Sequence, residues 1–334
     1  MELKDKNILV TGATGFIGGH LTERLARAEG ATVTALSRSA DKLAALESVG
    51  ARLVKGDVTN PAAVRRAIEG CQIVFHCAGL MHDGAADLEK FRHVNVEGTR
   101  QVLHAAVEAG VERVVHLSSI AVYGISPRDG TNERDPHRPC GMPYFDSKIE
   151  AEQVVQSMFE QKGLPLVIIR PANVYGPRSS FWTVGLLTMI KAGNITLIDE
   201  GRGMSNHLYV DNLVDAMVLA AGNDSVVGEG FIVTDDLRTT WNEFLNYYAR
   251  MLGRGALGSM GKARAYLTAT WMQMVAWITG HPPSLTYEAI RLWTQSASFD
   301  IAATRSKLGY IPRVGLEQGM SHTEQWLRES GYLD

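Results

Sequence analysis

Residues Thr11-Gly12-Ala13-Thr14-Gly15-Phe16-Ile17-Gly18 decide how this chain folds. They follow an apolar burst, Asn7-Ile8-Leu9-Val10, that reads as a buried strand, and precede a helical pattern from Phe16 to about Ala28. Strand, glycine turn, helix is the arrangement that sets backbone N–H groups and a helix N-terminus against a pyrophosphate. Gly12 permits the tight turn, Gly15 close approach of backbone to phosphate, and Gly18 close packing of helix on strand. With 33 glycines in the chain the spacing alone is weak, and the flanking strand and helix make it specific. Gly12, Thr14, Gly15, Phe16, Ile17 and Gly18 are therefore expected against a dinucleotide.

Strand-like and helix-like patterns then alternate. Strands are expected at residues 31–37, 51–56, 72–77, 113–118 and 164–170, and helices at 41–48, from Pro61, at 87–109 and at 143–162. Near-continuous Val/Ile/Leu strands separated by helices imply a parallel sheet covered on both faces, a doubly wound α/β (Rossmann) fold whose ligands bind at the carboxyl ends of the strands. After Pro177 the alternation breaks into helical pieces (181–191, 210–221, 241–252) and short strands (195–198, 231–234). Residues 1–177 are thus expected to form the dinucleotide-binding domain, with strands returning from about 205–235. Residues 178–334 are expected to form a smaller, mixed and mainly helical substrate region.

A formal charge of −3 without a basic cluster gives no sign of a nucleic-acid partner. The three cysteines, Cys71, Cys77 and Cys140, lack metal-ligand spacing and fit a reducing cytosol. His76, His82 and His93 fall in one region, but their spacing fits no ligand set, so no metal is expected. Met1 to Lys6 leads straight into the first strand, so no signal peptide is expected. The apolar stretch 265–280 falls short of the ~20 residues of a membrane span. A cytoplasmic protein, soluble or at most peripheral to a membrane, is the expectation.

The residue ending the second strand separates the two dinucleotides. An acid there accepts from a ribose 2′-OH, whereas an Arg accommodates a 2′-phosphate. Here the strand ends Ser37-Arg38-Ser39, with no acid before Asp41, which favours NADP(H) and leaves NAD(H) open. Asp57 and Val58, after the third strand, are placed near the adenine. Ala78 and Gly79, after the fourth, leave room for the cofactor.

Tyr144 and Lys148, four apart, share one helix face, and Ser118-Ser119 ends the fifth strand. With TGATGFIG at 11–18, HVNVEGT at 93–99, SSIAVYG at 118–124, YFDSK at 144–148 and RPANVYGPR at 170–178, the chain resembles an extended short-chain dehydrogenase/reductase. The resemblance covers about the first 180 residues. It implies catalytic roles for Ser119, Tyr144 and Lys148, with Asn95 supporting them, and cofactor contacts from Ser118, Tyr144, Lys148, Pro171, Asn173 and Val174. A free phenol has a pKa of roughly 10, and a nearby ammonium should lower it. Tyr144 would then exchange a proton with a carbonyl or alcohol, and Ser119 would bond the same oxygen. Tyr123 and Arg178 are read as substrate neighbours or, equally well, as surface packing. By analogy with the family a homodimer is expected.

Asn206-His207-Leu208-Tyr209-Val210-Asp211-Asn212 and the tail from Phe299 to Gly319 resemble the 3β-hydroxysteroid dehydrogenase-like branch. Residues 244–287 hold no Asp or Glu, and Leu267, Trp271, Met274, Val275 and Ile278 form one helical apolar stripe. That stripe reads as small-domain core, a substrate lid or a membrane-touching surface. An uncharged wall favours a secondary alcohol and ketone on a sterol-like or acyl substrate. The alternatives are a nucleotide-sugar epimerase, dehydratase or reductase, with Arg178 and Arg202 toward phosphate, and a non-catalytic dinucleotide sensor.

Overall fold

The computed structural model describes residues 2–39, 46–81, 87–281 and 283–334. Strand β1 (Asn7–Thr11), helix α1 (Phe16–Arg27), β2 (Thr32–Ser37), β3 (Arg52–Lys55), α2 (Pro61–Ile68) and β4 (Ile73–His76) form the first half of the alternation. Helix α3 comprises Leu88–Phe91, a π-helical piece Arg92–Glu97, and Gly98–Ala109. Then come β5 (Arg113–Leu117), α4 (Pro143–Lys162) and β6 (Leu166–Pro171). The helix expected over 41–48 lies largely outside the described residues; Glu47–Val49 is a single 3-10 turn.

Local chemistry sets these boundaries. Pro61 and Pro143 sit in the first turns of α2 and α4, where a missing N–H costs little, and Asn60 caps α2 by accepting from the Ala62 and Ala63 amides. Gly163 closes α4 in the left-handed region at φ +65°.

Further on lie β7 (Asn173–Tyr175), α5 (Leu186–Lys191), β8 (Leu197–Ile198), β9 (His207–Tyr209), α6 (Val210–Gly222) and β10 (Gly230–Val233). They are followed by α7 (Trp241–Met251), β11 (Ser259–Met260), α8 (Lys262–Thr279), α9 (Tyr287–Thr294) and α10 (Leu316–Glu329).

Seven strands make one parallel sheet in the order β10-β6-β5-β4-β1-β2-β3. Alternate side chains of each strand enter opposite layers. Ile8 and Val10 pack with Leu21 and Leu25 of α1 and with Leu213 and Met217 of α6, whereas Leu9 packs with Val64, Val102 and Val155 of α2, α3 and α4. This is the expected doubly wound fold. The strand order reverses between β4 and β1, which opens a crevice at their carboxyl ends.

Two expectations for the second half need correction. Of the 205–235 segment only β10 returns to the main sheet; β9 pairs instead with β7 in a separate ladder. The apolar stripe is not core. Ala265 and Ala269 form the buried side of α8, against Ile198 and Ile290, while Leu267, Trp271, Met274 and Ile278 face outward and are exposed, and Val275, expected in the same stripe, is half-buried at its flank. Among the described residues no helix is long and apolar enough to cross a membrane.

Candidate active site

The glycine turn lies at the crevice floor. Gly12 has φ +68°, and a Cβ there would come within 2.8 Å of the Ala78 amide nitrogen, so only glycine lets β1 and β4 converge. A Cβ on Gly18 would sit 2.3 Å from the Gly12 carbonyl oxygen, so this glycine lets α1 press onto the turn itself. Gly15 precedes α1 without a side-chain cap, and the first turn of α1, which contains Phe16 and Ile17, carries no acid. Its open amides and positive helix end suit an anion.

A cleft of about 290 Å³ extends from this turn. Gly12, Thr14 and Gly15 line one side, Ser37 and Arg38 the end of β2, Asp57 and Val58 the end of β3, and Ala78 and Gly79 the end of β4. The Thr14 and Ser37 hydroxyls are hydrogen-bonded across it. Arg38 is exposed, and its guanidinium lies 3.7 Å from Asp57 Oδ2. The other oxygen of Asp57 accepts from the amide and hydroxyl of Thr59.

The second cluster joins the cleft at Gly79, where a Cβ would be 3.4 Å from Lys148 Nζ and 3.3 Å from Asn95 Oδ1. Asn95 is buried in the π-helical piece of α3. It donates to the Leu80 carbonyl (3.0 Å) and Ser147 Oγ (2.9 Å) and accepts from the Leu80 amide (2.7 Å). It pins the strand-end loop to α4. Lys148 is buried and donates to the Leu117 carbonyl at 3.0 Å. Burial pushes its pKa down to about 8, against the opposing pull of Glu152 and Cys77.

Tyr144 packs edge-on to Phe91 and Phe145. Burial raises its phenol above the ordinary value, and the opposing influence is the Ser119 hydroxyl, not the ammonium expected from the sequence. Ser119 is held by the Ala121 amide, which donates to its Oγ at 3.1 Å. A phenol and a hydroxyl thus converge where both can donate to one oxygen atom.

Pro171, at the end of β6, leads through Ala172 into β7. Asn173 is fixed from both sides: its amide donates to the Asn206 carbonyl, and its Nδ2 donates to the Ser205 carbonyl at 2.7 Å. Val174 is buried behind it. Ser118 is also buried.

Sequence reasoning missed the importance of Glu152 and Arg170. Arg170 forms a two-pronged pair with Glu152 (2.9 and 2.7 Å) inside the protein and donates to the Tyr123 hydroxyl at 2.9 Å. Burial opposes ionisation of Glu152, yet hydrogen bonds from His137 and Arg170 hold its carboxyl well below the usual range. The available signal was Glu152 lying one helical turn after Lys148. The same network corrects Tyr123, which is core rather than a substrate neighbour. Arg178 and Arg202 form ion pairs with Glu23 and Glu200, the second fully at the surface. His76 is buried between the Thr11 and Thr99 hydroxyls. His82 lies outside the described residues.

The matches to known proteins follow this geometry. Residues 8–233 match the model of the NAD dependent epimerase/dehydratase family. The 4-hydroxy-2-methyl-3-oxo-4-farnesyl-3,4-dihydroquinoline-1-oxide ketoreductase of Stigmatella aurantiaca is 29% identical over 325 residues, 95% of each chain. The 3β-hydroxysteroid-dehydrogenase/decarboxylase isoform 1 of Arabidopsis thaliana is 28% identical over 344 residues, 94% of this chain and 78% of that one. Among solved structures, gox2253 superposes with a TM-score of 0.83 at 27% identity, covering 99% of this chain and 100% of its own. The chain is similar to 3β-hydroxysteroid dehydrogenase-like relatives, and it belongs to the NAD dependent epimerase/dehydratase family as an enzyme of the extended short-chain dehydrogenase/reductase type.

Proposed function

We propose that the protein is an NADP(H)-preferring oxidoreductase that interconverts a secondary alcohol and a ketone on a hydrophobic, sterol-like or acyl substrate. The observation that carries this reading is the junction at Gly79, which brings Lys148 and Asn95 to the edge of the dinucleotide-shaped cleft. The cradle fits such a cofactor: its glycines stand where a Cβ would collide, and its helix end is free of acids. Residues 1–177 would hold the cofactor, with the glycine turn at the pyrophosphate and Lys148 at the nicotinamide ribose. Pro171 and Asn173 would lie beside the ring, and residues 178–334 would cover the substrate. When bound, the dinucleotide supplies or accepts hydride.

Tyr144 donates the proton to the substrate oxygen in reduction and takes it back in oxidation. Ser119 fixes that oxygen. Lys148, held on the Leu117 carbonyl, would donate to the nicotinamide ribose, and Asn95 holds the Leu80 backbone and Ser147 so that the loop and α4 keep their spacing. Tyr144→Phe should lower kcat by roughly 10²–10⁴-fold, with the glycine turn and Lys148 still able to hold the cofactor. Full turnover by this variant on an accepted ketone would refute the assignment.

For the cofactor, Ser37 and Arg38 border the cleft where a 2′-phosphate would lie. NADPH is expected to bind at least about tenfold more tightly than NADH, the worth of one charge-assisted hydrogen bond of roughly 1.5 kcal/mol. Arg38→Ala should erase the difference. Fluorescence titration of both cofactors measures it, and tighter NADH binding would reverse the preference. Support for the substrate class comes from the farnesylated-quinoline and steroid relatives. Turnover confined to nucleotide sugars, in a panel that also holds sterol and acyl ketones, would favour the epimerase alternative.

A further inference from the structure

Helix α8 turns its most apolar face away from the protein. Ala265 and Ala269 are fully buried and mark its inner side. Opposite them lie Leu267, Trp271, Met274 and Ile278, spaced i, i+4, i+7, i+11, at 72, 61, 57 and 76% exposure. Trp277 stands beside them at 89%. The helix is nevertheless firmly seated. Tyr266 packs its ring 5.9 Å from that of Tyr287 on α9, and Thr270 Oγ1 lies 2.8 Å from the Tyr287 hydroxyl. A contiguous apolar surface of this kind marks an interaction site.

The charges around it select the partner. Residues 244–287 contain no Asp or Glu; at the start of α8, Lys262 is paired with Asp199 at 3.3 Å, which leaves Arg264 as the cation beside the stripe. Arg264 is exposed one turn before the stripe, on the Trp271 flank. We propose that this face of α8 docks into the interfacial layer of an anionic lipid membrane, with the helix axis in the membrane plane. Tryptophans in and beside an apolar stripe, with the exposed Arg264 at its end, match that environment. A span is excluded by length, since 18 residues reach only about 27 Å at 1.5 Å per residue, and by the burial of one side against the protein. The stripe spacing would also suit a two-heptad seam with a second copy. Such seams are flanked by charges, and here the flanking Ala263, Thr268, Thr270 and Val275 carry none.

Docking would also bring lipid near the substrate region. Trp293, at the end of α9, packs 4.4 Å from Trp241, which stacks on Trp182 in the segment after β7. Delivery of a lipid-dissolved ketone by this route rests on the proposed function; the docking itself does not.

The test is flotation of the full chain, without substrate, on phosphatidylcholine vesicles with and without phosphatidylserine. Wild type should float with the anionic vesicles, and the bound fraction should fall as salt rises. Leu267→Glu/Ile278→Glu, at exposed positions, should float at least about tenfold less, each buried carboxylate opposing insertion. Trp277→Ser gives an independent reading should the double variant not fold. Wild type that stays unbound on both compositions, or binds both equally, would overturn the proposal. A dimer in light scattering that the double variant dissociates, with no vesicle binding by wild type, would overturn it in favour of a second copy.

Discussion

At the scale of single residues, Lys148 shows most directly how the site trades stability for chemistry. Its ammonium is buried, and its pKa falls from the ordinary 10.5 to about 8. Between those values the unfolded chain keeps a proton that the folded chain has lost. Stability therefore rises with pH through that window, and the penalty is present in full below about pH 8. At neutral pH the protein carries a strained charge for its proposed task. Lys148→Met should keep or raise the Tm at neutral pH, flatten the rise of Tm toward alkaline pH, and lower turnover by roughly 10²–10⁴-fold. Melting curves across the alkaline range and steady-state rates check both halves. A Tm several degrees lower in the variant at neutral pH would show that the ammonium stabilises the fold.

At the scale of elements, what could be read from the sequence followed how local each signal was. Strands β1, β2, β4, β5 and β6 were expected within one or two residues of where they form, because a fully buried parallel strand is a continuous apolar run. The glycine turn was readable because backbone approach at Gly12 and Gly18 admits no side chain. Strand β8 falls inside the strand expected over 195–198, whereas β7, β9 and β11 are two or three residues long, too short to show a period. Their partners are also distant in sequence: Asn173 faces His207, and Leu197 faces Ser259. The period of α8 gave its stripe correctly but not what the stripe faces, since periodicity is the same toward core and toward water. Tyr123 was misplaced because the 3-10 turn Ile120–Tyr123, capped by Ser119, carries it back into the core to meet Arg170. The spacing of Ser119, Tyr144 and Lys148 was visible. The Glu152–Arg170 pair beneath them joins a helix to a strand end, a contact no local pattern reports.

At the scale of the whole molecule, one buried side chain ties the C-terminal tail to α6 and to the segment after β10. Asn212, in the first turn of α6, uses its full hydrogen-bonding capacity. Its Nδ2 donates to Asp235 Oδ1 (2.7 Å) and to the Val314 carbonyl (2.9 Å), and its Oδ1 accepts from the Arg313 and Val314 amides, each at 3.0 Å. Asp235 in turn accepts from the Tyr209 amide at 2.9 Å. The start of α6, the segment after β10 and the chain leading into α10 thus meet at one amide. Further along α10, Gly319 packs so closely on Tyr175 that a Cβ would lie 2.4 Å from its hydroxyl oxygen. Burial already raises the Asp235 carboxyl to about 7, and the Asn212 hydrogen bond opposes that rise. Asn212→Ala removes the donor and leaves the Arg313 and Val314 amides without their acceptor. A loss of about 3 kcal/mol is expected, from unsatisfied groups costing about 1–3 kcal/mol each. Amide exchange should quicken at residues 313–329, while the amides of β1 and β4 keep their protection. Asn212→Asp should be worse as pH rises through about 7, because the introduced carboxyl and Asp235 then both ionise in a buried site. Hydrogen exchange mapped by mass spectrometry, with melts at acid and neutral pH, reads both effects. A uniform quickening across the whole sheet would show that the tail is not held as a separate unit, and that Asn212 stabilises the core as one body.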